Sequence, residues 1–192
     1  MTDDSTLLAM HHAARDGFAA VVHGVGAGGW SSPTACSEWD ARALVRHVVD
    51  EQRWVRPLVG DRVTVAEVGE ALSDDVLGDD PAAAWDREAA VAYAIWDAPG
   101  SLEGDVTLSR GPTPSRAYAT EMLTDLVIHG WDLAQGTRQP YAMDEATAQL
   151  LYDFWSPHAA MLAESGMFAP PVDVPANAPA SARLLAFTGR KP

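Results

Sequence analysis

One stretch constrains how this chain can fold: Glu121-Met122-Leu123-Thr124-Asp125-Leu126-Val127-Ile128-His129-Gly130-Trp131-Asp132-Leu133. It reads as the middle of a helix. Tyr118, Met122, Asp125, His129 and Leu133 follow steps of four, three, four and four, so they share one face. A carboxylate and an imidazole thus sit on an otherwise greasy stripe. Bare burial of either is costly, so they are paired, solvated inside or bound to a cation. The spacing makes Asp125 and His129 candidate ligands of one metal ion, with a third ligand from another helix.

The rest of the chain supports a helical protein. Asp3, Asp4 or Ser5 can cap a first helix whose apolar side holds Leu7, Leu8, Ala14, Phe18, Val21 and Val22. It fades at the glycine cluster of residues 24–29. His11 and His12 point about 100° apart and cannot face one ion together. Both, with His23, are expected to be exposed. A loop with Trp30, Cys36 and Trp39 follows. Ser37 or Asp40 then caps a second helix from Asp40 to roughly Leu58, with a stripe of Ala41, Leu44, Val45, Val48, Val55 and Leu58. His47 lies at the edge of that stripe. Glu51, one turn on, is a rival ligand, an orienting partner for His47 or a solvated carboxylate.

Residues 60–80 read as a connection with a short helix around Val65 to Leu72. Asp80 followed by Pro81 starts a third long helix, which stops near Pro99-Gly100. Gly104 to Gly111 alternates as a short strand or extended loop. Thr113-Pro114 repeats the cap-then-proline signal and opens a fourth helix through the governing stretch to Gln135, with Gly136 ending it. At 1.5 Å per residue it is a rod of about 33 Å. Asp144 begins a fifth helix through Trp155, bent by Pro157. His158, at that kink, is not expected to be a ligand. A proline-rich extended segment from Phe168 to Pro179 precedes a small helix, Ala180 to Phe187. These patterns predict an all-α fold, an antiparallel bundle of four main helices with a short extended segment and a small C-terminal helix. Residues 1–192 are expected to form a single domain.

Composition excludes several function classes. The formal net charge is −14, which argues against nucleic acid and anionic membranes as partners. The single cysteine, Cys36, allows no internal disulfide and suits a reducing cytoplasm. No signal-peptide core and no run of about 18 apolar residues is seen, so a cytoplasmic protein is expected.

Two motifs carry a resemblance. Trp39-Asp40-Ala41-Arg42-Ala43-Leu44-Val45-Arg46-His47 resembles the W-x-V-R-D-L-x-x-H signature of DinB-like metal-binding helical bundles. His129-Gly130-Trp131-Asp132-Leu133-Ala134 is similar to the H-x-W-D-L-A signature of their mycothiol-dependent maleylpyruvate isomerase-like branch. The tail from Phe168 to Arg190 resembles the ending of its short, single-domain members. The resemblance implies a DinB-like four-helix bundle with a divalent metal on His47, Asp125 and His129. Characterised isomerase-type members carry glutamate where this chain has Asp125. Asp132 matches a position linked to binding the thiol cofactor. The functional arginine of those enzymes lies in a further C-terminal domain, for which Arg190 is the stand-in here.

The implied chemistry follows from the donor set. Two imidazoles and a carboxylate with an open fourth position describe a catalytic zinc site. Zinc is the default, with nickel, manganese or iron also suited. The residual positive charge favours an anion, and a thiol entering there loses its proton. The expected function is thus a metal-dependent isomerase or S-transferase that uses mycothiol, or another low-molecular-weight thiol, on a small electrophile. A homodimer would be compatible. The alternatives are a non-catalytic metal- or small-ligand-binding bundle, a non-haem iron oxygenase, which the same triad also describes, and a purely structural salt bridge.

Overall fold

The computed structural model describes residues 2–69, 72, 75–166 and 168–192. The chain forms two compact units, residues 1–141 and 142–192. It is mostly helical, with one short hairpin.

In the first unit, α1 (Asp4–His23) starts at Asp3, whose carboxylate accepts from the Thr6 amide. α2 (Ala41–Val55) is capped by Asp40 in the same way and runs on into a π-helical turn, Arg56–Gly60. A single helical turn, α3 (Val65–Val68), carries a capping box between Thr64 and Glu67. Residues 70 and 71 of the helix expected from Val65 to Leu72 lie outside the described residues. α4 (Pro81–Trp96) begins with Asp80 as cap and Pro81 at its first position, the pairing of cap and proline that its sequence signals.

The second cap-then-proline signal, at Thr113-Pro114, meant something else. The alternating segment is a hairpin of β1 (Asp105–Leu108) and β2 (Gly111–Pro114), in register with Asp105 opposite Pro114. Both residues therefore belong to a strand, and the fold is not strictly all-α. Arg62 holds this corner. Its guanidinium donates to the carbonyls of Gly100, Glu103 and Asp105 and to Ser115 Oγ.

α5 (Ser115–Thr137) follows at once. α1 packs on α4 and α5, and α2 packs on α4 and α5. Of these, α5 is buried on most of its circumference, from Tyr118 to Ala134. The core between the helices holds Phe18, Leu44, Trp85, Trp96, Leu123, Leu126 and Ile128, all fully enclosed. Each such side chain contributes roughly 1.5–3 kcal/mol on burial. Phe18 and Trp85 pack with tilted rings, 4.6 Å between centroids.

Two glycines in α5 permit close approaches. A Cβ on Gly130 would lie 2.7 Å from Tyr141 Oη, and one on Gly136 would lie 2.6 Å from the Pro33 carbonyl oxygen. Gly136 therefore does not end the helix. It admits the Pro33-Thr34 backbone, and Arg138, in the left-handed region, makes the stop.

In the second unit, α6 (Glu145–Trp155) is capped by Asp144, and a 3-10 turn at Ser156–His158 carries the chain into α7 (Ala159–Ser165). The expected bend at Pro157 is that turn. α8 (Ala180–Phe187) packs on α6. The extended segment is tied to α8 by the Val172 amide, which donates to Ala186 O. Among the described residues, no helix is long and apolar enough to cross a membrane.

Candidate metal centre

The packing of α2 on α5 brings the three sequence candidates together. Asp125 and His129 lie one turn apart on α5, and His47 faces them from α2. His47 Nε2 is 3.0 Å from Asp125 Oδ2, and His129 Nε2 is 3.8 Å from Asp125 Oδ1. The two imidazole rings stand edge to face at 5.1 Å. One donor atom from each residue lies within 4.8 Å of the others. Donors about 2.1 Å from a tetrahedral zinc ion stand about 3.4 Å apart, so small side-chain adjustments suffice.

Asp132 decides which nitrogen of His129 is offered. Its fully buried carboxylate sits 3.1 Å from His129 Nδ1. A carboxylate accepts only, so Nδ1 carries the proton and the Nε2 lone pair is left on the Asp125 side. This carboxylate–imidazole pairing is the support that metal-ligating histidines use. The donor set and this orientation therefore fit a divalent cation.

Trp39 completes the surroundings. Its indole lies 4.6 Å from the His47 ring and 5.5 Å from the His129 ring. The loop that carries it is held by Thr34, whose hydroxyl donates to Trp39 O and Cys36 O. The same loop packs on Gly136. On the other side the triad is open: the side chains of His47 and Asp125 are 29% and 30% exposed.

The electrostatics follow from this packing. Burial disfavours a charged His47, but the hydrogen bond it donates to Asp125 and the charges of Asp125, Glu51 and Asp50 outweigh it, so its pKa is raised. The Glu51 carboxyl is raised first by burial and then by the negative charge of Asp125. Glu51 stands one turn beyond His47, near the triad but outside the cluster of three donors.

The other candidates lie elsewhere. His11 is buried, not exposed. Its Nε2 donates to Ala119 O at 2.6 Å and its Nδ1 lies 3.1 Å from Tyr93 Oη, which itself donates to His11 O. Desolvation pushes this imidazole down to about 4, so it is a neutral core residue. His12 and His23 pair with Asp97 and Asp86 at the surface. Arg190 belongs to the second unit, where its guanidinium donates to Thr188 O. Tyr118, read only as part of the greasy stripe, proves to have a buried hydroxyl without a hydrogen-bond partner among the described residues.

Comparison with known proteins bears on the same region. The model of the mycothiol maleylpyruvate isomerase N-terminal domain matches residues 11–134, which include His47, Asp125, His129 and Asp132. An uncharacterized protein of Mycobacterium tuberculosis, in strains CDC 1551 and H37Rv, is 33% identical over 141 residues, covering 73% of this chain and 72% of the relative. No solved structure matches.

Proposed function

This chain belongs to the mycothiol maleylpyruvate isomerase N-terminal domain family, and on that premise we propose that it is a divalent-metal-dependent isomerase or S-transferase using mycothiol, or a similar small thiol, on a small electrophile. The observation that carries the reading is the convergence of His47, Asp125 and His129 on one open-sided cluster. The packing of α1, α2, α4 and α5 supports a DinB-like four-helix bundle as its scaffold.

In this reading His47 Nε2, one Asp125 oxygen and His129 Nε2 hold the cation, zinc by default from the donor types. When bound, the cation would supply the positive charge that favours the thiolate form of a thiol at neutral pH. The protein does the rest. Asp132 fixes the His129 tautomer and ring. Trp39 covers one side of both imidazoles and keeps water from them. The exposed edges of His47 and Asp125 leave the approach by which thiol and electrophile enter. Asp132 serves the thiol through His129.

The test is to load the protein with zinc, measure mycothiol binding by calorimetry, and follow thiol consumption with a panel of electrophiles. Binding with consumption supports the reading, and binding without consumption for every electrophile turns it into a non-catalytic carrier. No mycothiol binding removes it. His47→Ala is expected to lose the metal by elemental analysis. Retained metal in that variant would reduce the cluster to a structural ion pair.

A further inference from the structure

The two histidines of the cluster are held in different ways. His129 has the buried carboxylate of Asp132 on its Nδ1. His47 lacks such a support: among the described residues its ring makes one hydrogen bond, from Nε2 to Asp125 Oδ2. Nε2 is also the nitrogen that would ligate a cation, and it cannot do so while it carries the proton it donates. Loading the cluster therefore removes the tether that sets the His47 ring. What remains is contact between rings. The Trp39 indole lies 4.6 Å from the His47 ring between centroids and is inclined to it by 33°, so the imidazole leans on the indole face. The His129 ring meets His47 edge to face at 5.1 Å and lies 5.5 Å from the same indole. An imidazole bound to a metal carries part of the positive charge, and indole offers the most favourable aromatic face to a cation. This contact therefore strengthens on loading, as the hydrogen bond to Asp125 is lost.

Trp39 can hold a ring only if it is itself fixed, and its loop is pinned to both helices that supply ligands. The amide and the hydroxyl of Thr34 donate to Trp39 O at 3.3 and 2.8 Å. On the α2 side, Pro33 bridges to Asp40, whose carboxylate caps the helix by accepting from the Ala43 amide. On the α5 side, Pro33 and Thr34 rest on Gly136, where even a Cβ would meet Pro33 O at 2.6 Å. Gly136 follows His129 by seven residues, two turns along the same line of α5. The loop thus spans the two ligand-bearing helices and sets the indole between them.

We propose that Trp39 is the positioning residue of His47, doing through ring contact what Asp132 does for His129 through a hydrogen bond. The inference rests on the metal-binding reading above and deepens it. Trp39 donates nothing to the cation and touches no substrate. It acts through His47, by narrowing the orientations of that ring to those in which Nε2 points at the cluster.

The test titrates the full-length, metal-stripped protein with zinc against a competing indicator, for wild type, Trp39→Phe and Trp39→Leu, with circular dichroism to confirm equal helix content. Trp39→Leu is expected to weaken zinc about tenfold, and Trp39→Phe, which keeps an aromatic face, no more than about threefold. Cobalt(II) gives a second readout, since its visible absorption bands follow ligand geometry. At saturating cobalt, Trp39→Leu is expected to change those bands and Trp39→Phe to keep them. Thr34→Val leaves every ring in place and releases the Trp39 carbonyl, so it decides the matter if Trp39→Leu does not fold; a loss of about threefold in zinc affinity is expected. Zinc affinity unchanged in Trp39→Leu and Thr34→Val would overturn the assignment. So would equal losses in Trp39→Phe and Trp39→Leu, which would mean that the loop needs only the bulk of the indole. These outcomes leave the metal-binding reading standing, whereas a wild-type protein that binds no zinc overturns both.

Discussion

Acid should destabilise this protein through His11, and the size of the effect follows from its surroundings. The imidazole is enclosed and its pKa is lowered from 6.5 to about 4, chiefly by desolvation. In the unfolded chain it protonates below 6.5. In the folded protein it resists the proton until about pH 4. The folded value is the lower one, so stability is complete above 6.5 and is lost as pH falls from 6.5 to 4. A shift of 2.5 units corresponds to about 3 kcal/mol. Glu51 works the other way: its folded pKa is raised, so protonation favours the folded state as pH falls towards its ordinary range. The wild-type pH profile alone therefore mixes opposing contributions. Urea unfolding of wild type and His11→Gln at pH 7, 6, 5 and 4 separates them, because Glu51 and the surface carboxylates are common to both. The stability advantage of the wild type should shrink by about 3 kcal/mol between pH 7 and pH 4, worth roughly 6–12 °C in melting temperature. A difference that stays constant across that range would refute the picture of a neutral, sealed His11.

Three further outcomes follow from the site. Asp132→Asn should weaken zinc binding by about 10- to 100-fold, read by competition with a zinc indicator; unchanged affinity would mean that Asp132 does not orient His129. Metal binding should release protons, and apparent affinity should fall as pH drops through the raised pKa of His47, since the cation and the proton compete for the same nitrogen; a flat pH profile of calorimetric affinity would exclude His47 as a ligand. Gly136→Ala should lower stability, because a Cβ 2.6 Å from the Pro33 carbonyl oxygen costs about 1–3 kcal/mol of overpacking against roughly 1 kcal/mol gained in helix propensity; thermal melts that show no loss would mean that the Trp39 loop yields freely.

The parts of this site that were readable from sequence are those set by local geometry. Asp125 and His129 share a face because they are four residues apart on one helix, and no tertiary knowledge is needed. His47 was a different matter. Its stripe-edge position fits many roles, and only the packing of α2 on α5 turns it towards Asp125. Asp132 was read for a cofactor contact, yet its three-residue spacing from His129 already allowed the hydrogen bond that the structure contains. His11 was missed although a signal existed. Leu7, His11, Ala14, Phe18 and Val21 step by four, three, four and three, so His11 lies on the buried stripe of α1. The argument that two adjacent histidines cannot share one ion was right, but it says nothing about whether one of them is buried. Thr113-Pro114 misled for a physical reason too. A fixed proline φ suits an extended strand as well as the first turn of a helix, and pairing with Asp105 decided between them.

The aspartate at position 125 is the chain's departure from the glutamate of characterised isomerase-type relatives, and the geometry explains how it can serve. Its two oxygens divide between the two histidines, Oδ2 at 3.0 Å from His47 Nε2 and Oδ1 at 3.8 Å from His129 Nε2. The shorter side chain is thus already within reach of both ligand nitrogens. A longer one would have to fold back or reach towards solvent past the exposed edges of Asp125 and His47. The substitution therefore keeps the donor set intact.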